Sequence, residues 1–175
     1  MRKMRYGMEV IINELFKLGV LIIVFKFLGK LDLFLFSLTT LIPIRCFSGG
    51  MHFHSNLNCL LFTLAFFLIA CNSIYFLPSN TSSIYYIMAI ASIAIIGLLS
   101  PNPSDYRPIK CKRKRQAFRI LAFFFSIGWL LILFLFYPCN EYFFKCGIMT
   151  IFLQALQLIL GCLANKNLKF SKEAL

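Results

Sequence analysis

Long apolar runs separated by short polar breaks set the pattern of this chain. Residues 57–77, 120–137 and 146–164 contain no Asp, Glu, Lys or Arg, and each approaches or exceeds the length a bilayer core requires. Residues 84–100 form a fourth uncharged run at the lower end of the spanning range, bracketed by Pro78-Ser79-Asn80 and Pro101-Asn102-Pro103. Each of the four predicts a membrane-spanning helix. The front of the chain is patterned differently, because residues 10–28 carry Glu14, Lys17 and Lys26, and residues 31–44 include Asp32 and Pro43. Glu14 and Lys17 stand three apart, a spacing at which opposite charges pair on one helical face and lower the cost of burying both. A stretch as short as 31–44 suits a re-entrant or interfacial segment as well as a crossing.

The fold class this pattern predicts is all-α, a polytopic integral membrane bundle of six segments, or of four if the first two do not cross. The longest hydrophilic stretch, residues 101–116, is too short to fold alone. One membrane-embedded domain over residues 1–175 is therefore expected. Composition sharpens the class: 60% hydrophobic residues, 14% charged residues and a mean hydropathy of +0.82 lie outside the range of a soluble domain. The net charge of +12 would ordinarily suggest nucleic acid, but that partner needs a basic face on a soluble fold, so no nucleic-acid binding is expected.

The placement of the bases gives orientation. Lys110, Lys112, Arg113, Lys114, Arg115 and Arg119 cluster between the fourth and fifth segments, and Lys166, Lys169 and Lys172 follow the last. Positive residues mark the cytoplasmic side. Counting back two crossings puts residues 45–56 in the cytoplasm, and both termini join them. The opposite loops, 29–32, 78–83 and 138–141, contain Lys30 as their sole base. The expected location is the cell membrane, multi-pass. Arg2-Lys3-Met4-Arg5 resembles the flank of a signal peptide, but Glu14 and Lys17 interrupt the apolar stretch and no small-residue cleavage site follows, so the segment reads as mature protein. Seven cysteines without a Cys-x-x-Cys pair, mostly within apolar runs, read as small buried hydrophobes rather than a disulfide framework.

Chemistry concentrates in residues 45–59, which contain both histidines of the chain. Gly49-Gly50 suits a tight loop, since glycine reaches positive φ and allows close approach. His52 and Cys59 supply the base and the sulfur that a thiol nucleophile needs. On one straight helix residues seven apart stand about 10 Å apart along the axis, too far for proton transfer. A working pair therefore requires His52 in a folded loop and Cys59 near the start of the next helix, with Ser55 or Asn56 as its cap. The helix dipole and an imidazolium would then both favour thiolate. The bland reading is a histidine at the membrane edge and a buried cysteine. Cys46, His52, His54 and Cys59 are also metal-type ligands, but their spacing matches no common zinc pattern and no metal or cofactor is assigned.

These residues resemble the accessory gene regulator B (AgrB) family of membrane cysteine endopeptidases, which mature the AgrD quorum-sensing precursor. The resemblance rests on Arg45 seven residues before His52, on Gly49-Gly50 shortly before it, and on Cys59 seven after it. It implies that Cys59 is the nucleophile and His52 its base. It also implies a substrate, an AgrD-like pro-peptide, cleaved through an acyl-enzyme thioester and closed to a thiolactone or lactone by its own thiol or hydroxyl. A homodimer in the lipid bilayer is implied as well. His54, five residues before Cys59, is the alternative base, and only the family spacing favours His52. Arg45 suits a substrate carboxylate or an oxyanion through its planar donor fork, or sets orientation, while backbone N–H groups near Gly49-Gly50 are rival oxyanion donors. Lys112, Arg113, Lys114 and Arg115 either set topology or dock an acidic precursor tail. The Phe-rich runs 123–125 and 134–137 read as lipid or helix packing surface, with Trp129 too deep for an interfacial anchor. A small permease or peptide-export component, with structural His and Cys and with Glu14, Lys17 and Lys26 marking a path, is the competing reading.

Overall fold

In the computed structural model, residues 2–50, 56–76, 82–102, 111–136 and 140–173 are described. They form seven helices: α1 (Arg2–Phe27), α2 (Leu31–Ser48), α3 (Asn56–Cys71), α4 (Ser73–Phe76), α5 (Ser82–Leu99), α6 (Lys112–Phe136) and α7 (Glu141–Glu173). No strand occurs among the described residues beyond an isolated bridge between Gly49 and Asn102. The all-helical expectation therefore stands. Leu31–Ser48, Lys112–Leu135 and Glu141–Ala164 are long and apolar enough to cross a membrane, while Asn56–Cys71 and Ser83–Leu99 are shorter apolar helices.

Several boundaries differ from the sequence pattern for identifiable reasons. The short front stretch 31–44 grows into an 18-residue helix that runs through Pro43 to Ser48. Proline removes the N–H that would bond the Thr39 carbonyl, a loss that helices packed in apolar surroundings tolerate. At 1.5 Å per residue the helix is about 27 Å long, close to a bilayer core. The apolar run 57–77 breaks at Asn72, whose Nδ2 donates to the Leu68 carbonyl at 2.8 Å. Asparagine offers the backbone such an alternative to helix continuation. Its Oδ1 accepts from Lys30, which also stands 5.1 Å from the Tyr75 ring centroid. The basic run expected in a loop is helical from Lys112 onward. α7 begins five residues before its predicted run, and the extension holds its own ion pair, Lys145 to Glu141 at 2.8 Å.

α7 and α2 lie between two apolar cores. On one side Phe25, Phe34 and Phe67 from α1, α2 and α3 interlock, with Phe25 stacked on Phe34 at 4.7 Å and Phe67 edge-on to Phe34 at 4.8 Å. On the other, Ile44, Ile96, Ala122, Ile151 and Leu158 join α2, α5, α6 and α7. The outer faces carry large exposed apolar side chains such as Phe16, Phe27, Leu98, Phe124 and Leu135. Water would not tolerate that much contiguous apolar surface, and lipid would. The Phe-rich run of α6 divides accordingly: Phe124 is 72% exposed, Phe125 stacks on Phe47 at 5.4 Å, and Trp129 packs edge-on to Phe36 at 6.1 Å.

Candidate functional site

One end of the bundle brings together the last turn of α2, the segment 100–102 after α5, the start of α6 and the later turns of α7. The junction is built on backbone. Gly49 ends α2 with φ at +78°, its N–H bonding the Arg45 carbonyl at 3.0 Å. The Asn102 N–H bonds the Ser48 carbonyl at 3.0 Å, and a Cβ at Gly49 would stand 2.6 Å from the Asn102 carbonyl oxygen. Only glycine fits both the dihedral and the space. From α7 a Cβ on Gly161 would meet Asn102 Nδ2 at 2.5 Å and the Gly50 carbonyl at 3.7 Å, so three stretches of backbone converge there. Arg119 secures the same corner, its Nε donating to the Ser100 carbonyl at 2.8 Å.

Arg45, half-buried in the last turn of α2, donates from Nη1 to Gln157 Oε1 at 2.9 Å. Gly50 lies against the guanidinium, where an added Cβ would rest 3.7 Å from Cζ, Nε and Nη2. Gln154, one turn before Gln157 on α7, donates from Nε2 to Ser48 Oγ and to the Gly49 carbonyl, each at 2.9 Å. These bonds fix both amide orientations. Among the described residues they leave Gln154 Oε1, Gln157 Nε2 and Ser100 Oγ buried without a partner. An open donor and an open acceptor beside a cation give the junction unused capacity for a polar ligand.

Cys59 is the fourth residue of α3, half-buried, near the positive end of that helix. Lys17 of α1 donates to its Sγ at 3.5 Å and to Glu14 at 2.8 Å. The Glu14–Lys17 pair expected from spacing is thus present, and it reaches a third group 42 residues away. Arg45 lies within electrostatic range of both Cys59 and Glu14. His52 and His54, with Ser55, fall outside the described residues. Helix is described from Asn56, so residues 56–59 are helical.

Lys112, Arg113, Lys114 and Arg115 occupy the exposed first turn of α6. Cations are disfavoured at a helix N-terminus, so local stability does not explain their position. Just before them, the backbone N–H groups of Lys114 and Arg113 hold the Cys111 thiol below its ordinary ionisation range, with the Lys114 charge adding to the effect. Sequence reasoning overlooked Ser48, Gln154 and Gln157. A signal existed for the last two, because glutamines three apart in an otherwise uncharged apolar helix mark an interhelical polar contact.

A helical bundle with an apolar outer surface, and with a cluster of amide and cationic side chains where the end of α2 meets α7, defines a membrane-type protein with its candidate site at one end of the bundle. The chain matches the family accessory gene regulator B (AgrB) over residues 1–158, and it belongs to that family. It is 30% identical over 158 residues to an AgrB-like protein of Clostridium beijerinckii, covering 90% of this chain and 76% of that one. To accessory gene regulator protein B of Staphylococcus saprophyticus it is 31% identical over 133 residues, covering 74% and 68% respectively. No solved structure matches it. Membership places the chain in the accessory gene regulator system and bears out the family resemblance.

Proposed function

We propose that this chain is a membrane-integral cysteine endopeptidase that matures an AgrD-like quorum-sensing precursor. The observation that carries the reading is the setting of Cys59: its sulfur sits on the first turn of α3 and receives a cation at 3.5 Å. Such surroundings suit an anionic sulfur. In this reading Cys59 attacks the scissile carbonyl, and His52, or His54 in its place, takes and returns the proton. The cleaved segment remains as a thioester until a thiol or hydroxyl of the same peptide displaces Cys59 and closes the ring. Excluding water at the apolar edge keeps the thioester from hydrolysis.

Arg45 and the Gly49-Gly50 backbone support the site. The Arg45 fork, steadied by Gln157 and braced by Gly50, holds a substrate carboxylate or the oxyanion. Lys112 to Arg115 open α6 at the same end and attract an acidic precursor tail. By the positive-inside rule that end faces the cytoplasm, with six segments crossing and both termini inside. Two copies pair in the membrane.

Co-expression with a precursor tests the reading. Cys59→Ala and His52→Ala abolish precursor cleavage while membrane levels hold, and His54→Ala in parallel identifies the imidazole that matters. Cleavage that survives in Cys59→Ala rejects the nucleophile. Neutralising Lys112 to Arg115 weakens precursor affinity and flattens its salt dependence; unchanged values reject the docking role.

A further inference from the structure

The front helix is the least membrane-like part of the pattern, and of its charged pair at 14 and 17 it is Lys17 that turns inward onto the sulfur. Lys17 keeps only 12% of its side-chain exposure, whereas Glu14 keeps 65%. An exposed carboxylate alone would draw the ammonium outward. Lys17 instead bridges Glu14 and Cys59, at 2.8 and 3.5 Å. The charges around the sulfur make the same point. Among the described residues Lys17 and Arg45 are the cations that act on the sulfur, and Glu14 is an anion that pairs with Lys17 and lies within electrostatic range of Arg45. With a neutral thiol the group has a net charge of one, and with an anionic sulfur it is neutral. Buried charge is tolerated when it is paired.

We propose that Lys17 is a further catalytic residue, its ammonium, braced by Glu14, holding the negative charge of the Cys59 sulfur both when that sulfur attacks and when it leaves. The assignment rests on the peptidase reading of Cys59. In the first step the sulfur forms its bond to the carbonyl carbon, the C–N bond breaks, and the departing amine takes the proton carried by the imidazolium. In the second, the peptide's thiol or hydroxyl gives its proton to the imidazole and bonds the same carbon. The C–S bond breaks and its electron pair returns to Cys59, opposite Lys17. A single cation thus serves the sulfur as nucleophile and as leaving group, and it places α1 in the active site.

The test is alkylation of Cys59 by N-ethylmaleimide in membranes carrying the full chain, read by mass spectrometry on the peptide that contains it. The exposed thiol of Cys111 is the internal reference for topology and integrity. A cation at hydrogen-bond range favours thiolate by about tenfold or more, and the lower nucleophilicity of a stabilised thiolate takes back about threefold. Lys17→Met is expected to slow Cys59 alkylation by about three- to tenfold with Cys111 unaffected, and Lys17→Arg to restore it. Lys17→Gln, which keeps a donor without the charge, serves if the methionine variant fails to accumulate, and is expected to lose as much. An unchanged or faster rate without the charge overturns the proposal. So does a loss that Lys17→Arg does not restore, because packing would then explain it. Alkylation is independent of peptide processing: full cleavage in Cys59→Ala would end the peptidase reading and leave this result standing, and the reverse holds as well.

Discussion

α2 and α7 meet at two polar levels built in opposite ways. At one, Ser37 and Thr150, both wholly buried, share a hydrogen bond of 2.7 Å, and the Thr150 hydroxyl donates to the Cys146 carbonyl at 2.7 Å. Nothing is left over. At the other, Arg45, Ser48, Gln154 and Gln157 are joined across the same pair of helices, yet Gln154 Oε1 and Gln157 Nε2 find no partner among the described residues. A closed hydroxyl pair holds two helices together in apolar surroundings. An open amide pair beside a cation leaves binding capacity that helix packing alone does not require. Ser48, Gln154 and Gln157 are as deeply buried as Ser37 and Thr150, so satisfaction of these polar groups, rather than their depth, distinguishes the two levels.

The strongest way to break this contrast is at the junction itself. Gly49→Val places a branched side chain at positive φ and against the Asn102 carbonyl, a change expected to destabilise by about 3 kcal/mol or more. The detergent-solubilised protein would then unfold at a markedly lower temperature, and an unchanged midpoint would show that the corner is not built around glycine. Next in size is Arg45→Met, which keeps volume but strips Gln157 Oε1 of its donor, at about 1–3 kcal/mol. Precursor processing is expected to fall far more than stability. Arg45→Lys should recover stability better than processing, because a point charge lacks the fork.

Smaller effects sharpen the distinction. Gln157→Leu is expected to cost about 1–2 kcal/mol by leaving the guanidinium short of an acceptor, and to reduce processing. Gln157→Glu keeps that acceptor and should keep the cation in place; equal loss in both would assign the residue to packing. At the closed level, Ser37→Ala combined with Thr150→Val removes both hydroxyls together, for a coupling of about 0.6 kcal/mol in a double-mutant cycle. Processing should be untouched. A processing defect there would erase the division between the two levels.

Much of the scaffold was legible in local pattern. Uncharged runs announced the helices because an apolar environment forces every backbone group to bond within its own segment. Gly49-Gly50 announced a tight junction, and a three-residue spacing announced the Glu14–Lys17 pair. Boundaries were less legible. Pro43 did not stop α2 and Asn72 did interrupt the following run, since neighbouring helices decide which broken backbone bonds are tolerable. The basic run opens α6 rather than lying in a loop, which spacing does not reveal because a cluster of cations signals topology without signalling conformation.

By itself, then, the sequence determined the all-helical class, the family, and the candidate site cluster from Arg45 to Cys59, all of which rest on composition and short-range spacing. Tertiary structure alone decided that Lys17 meets Cys59 across 42 residues, and that Gln157 meets Arg45 across 112. Which face of a largely apolar helix turns inward is set by packing against its neighbours, where a charge or an amide finds its partner or is left open. No periodicity within a single segment encodes that choice.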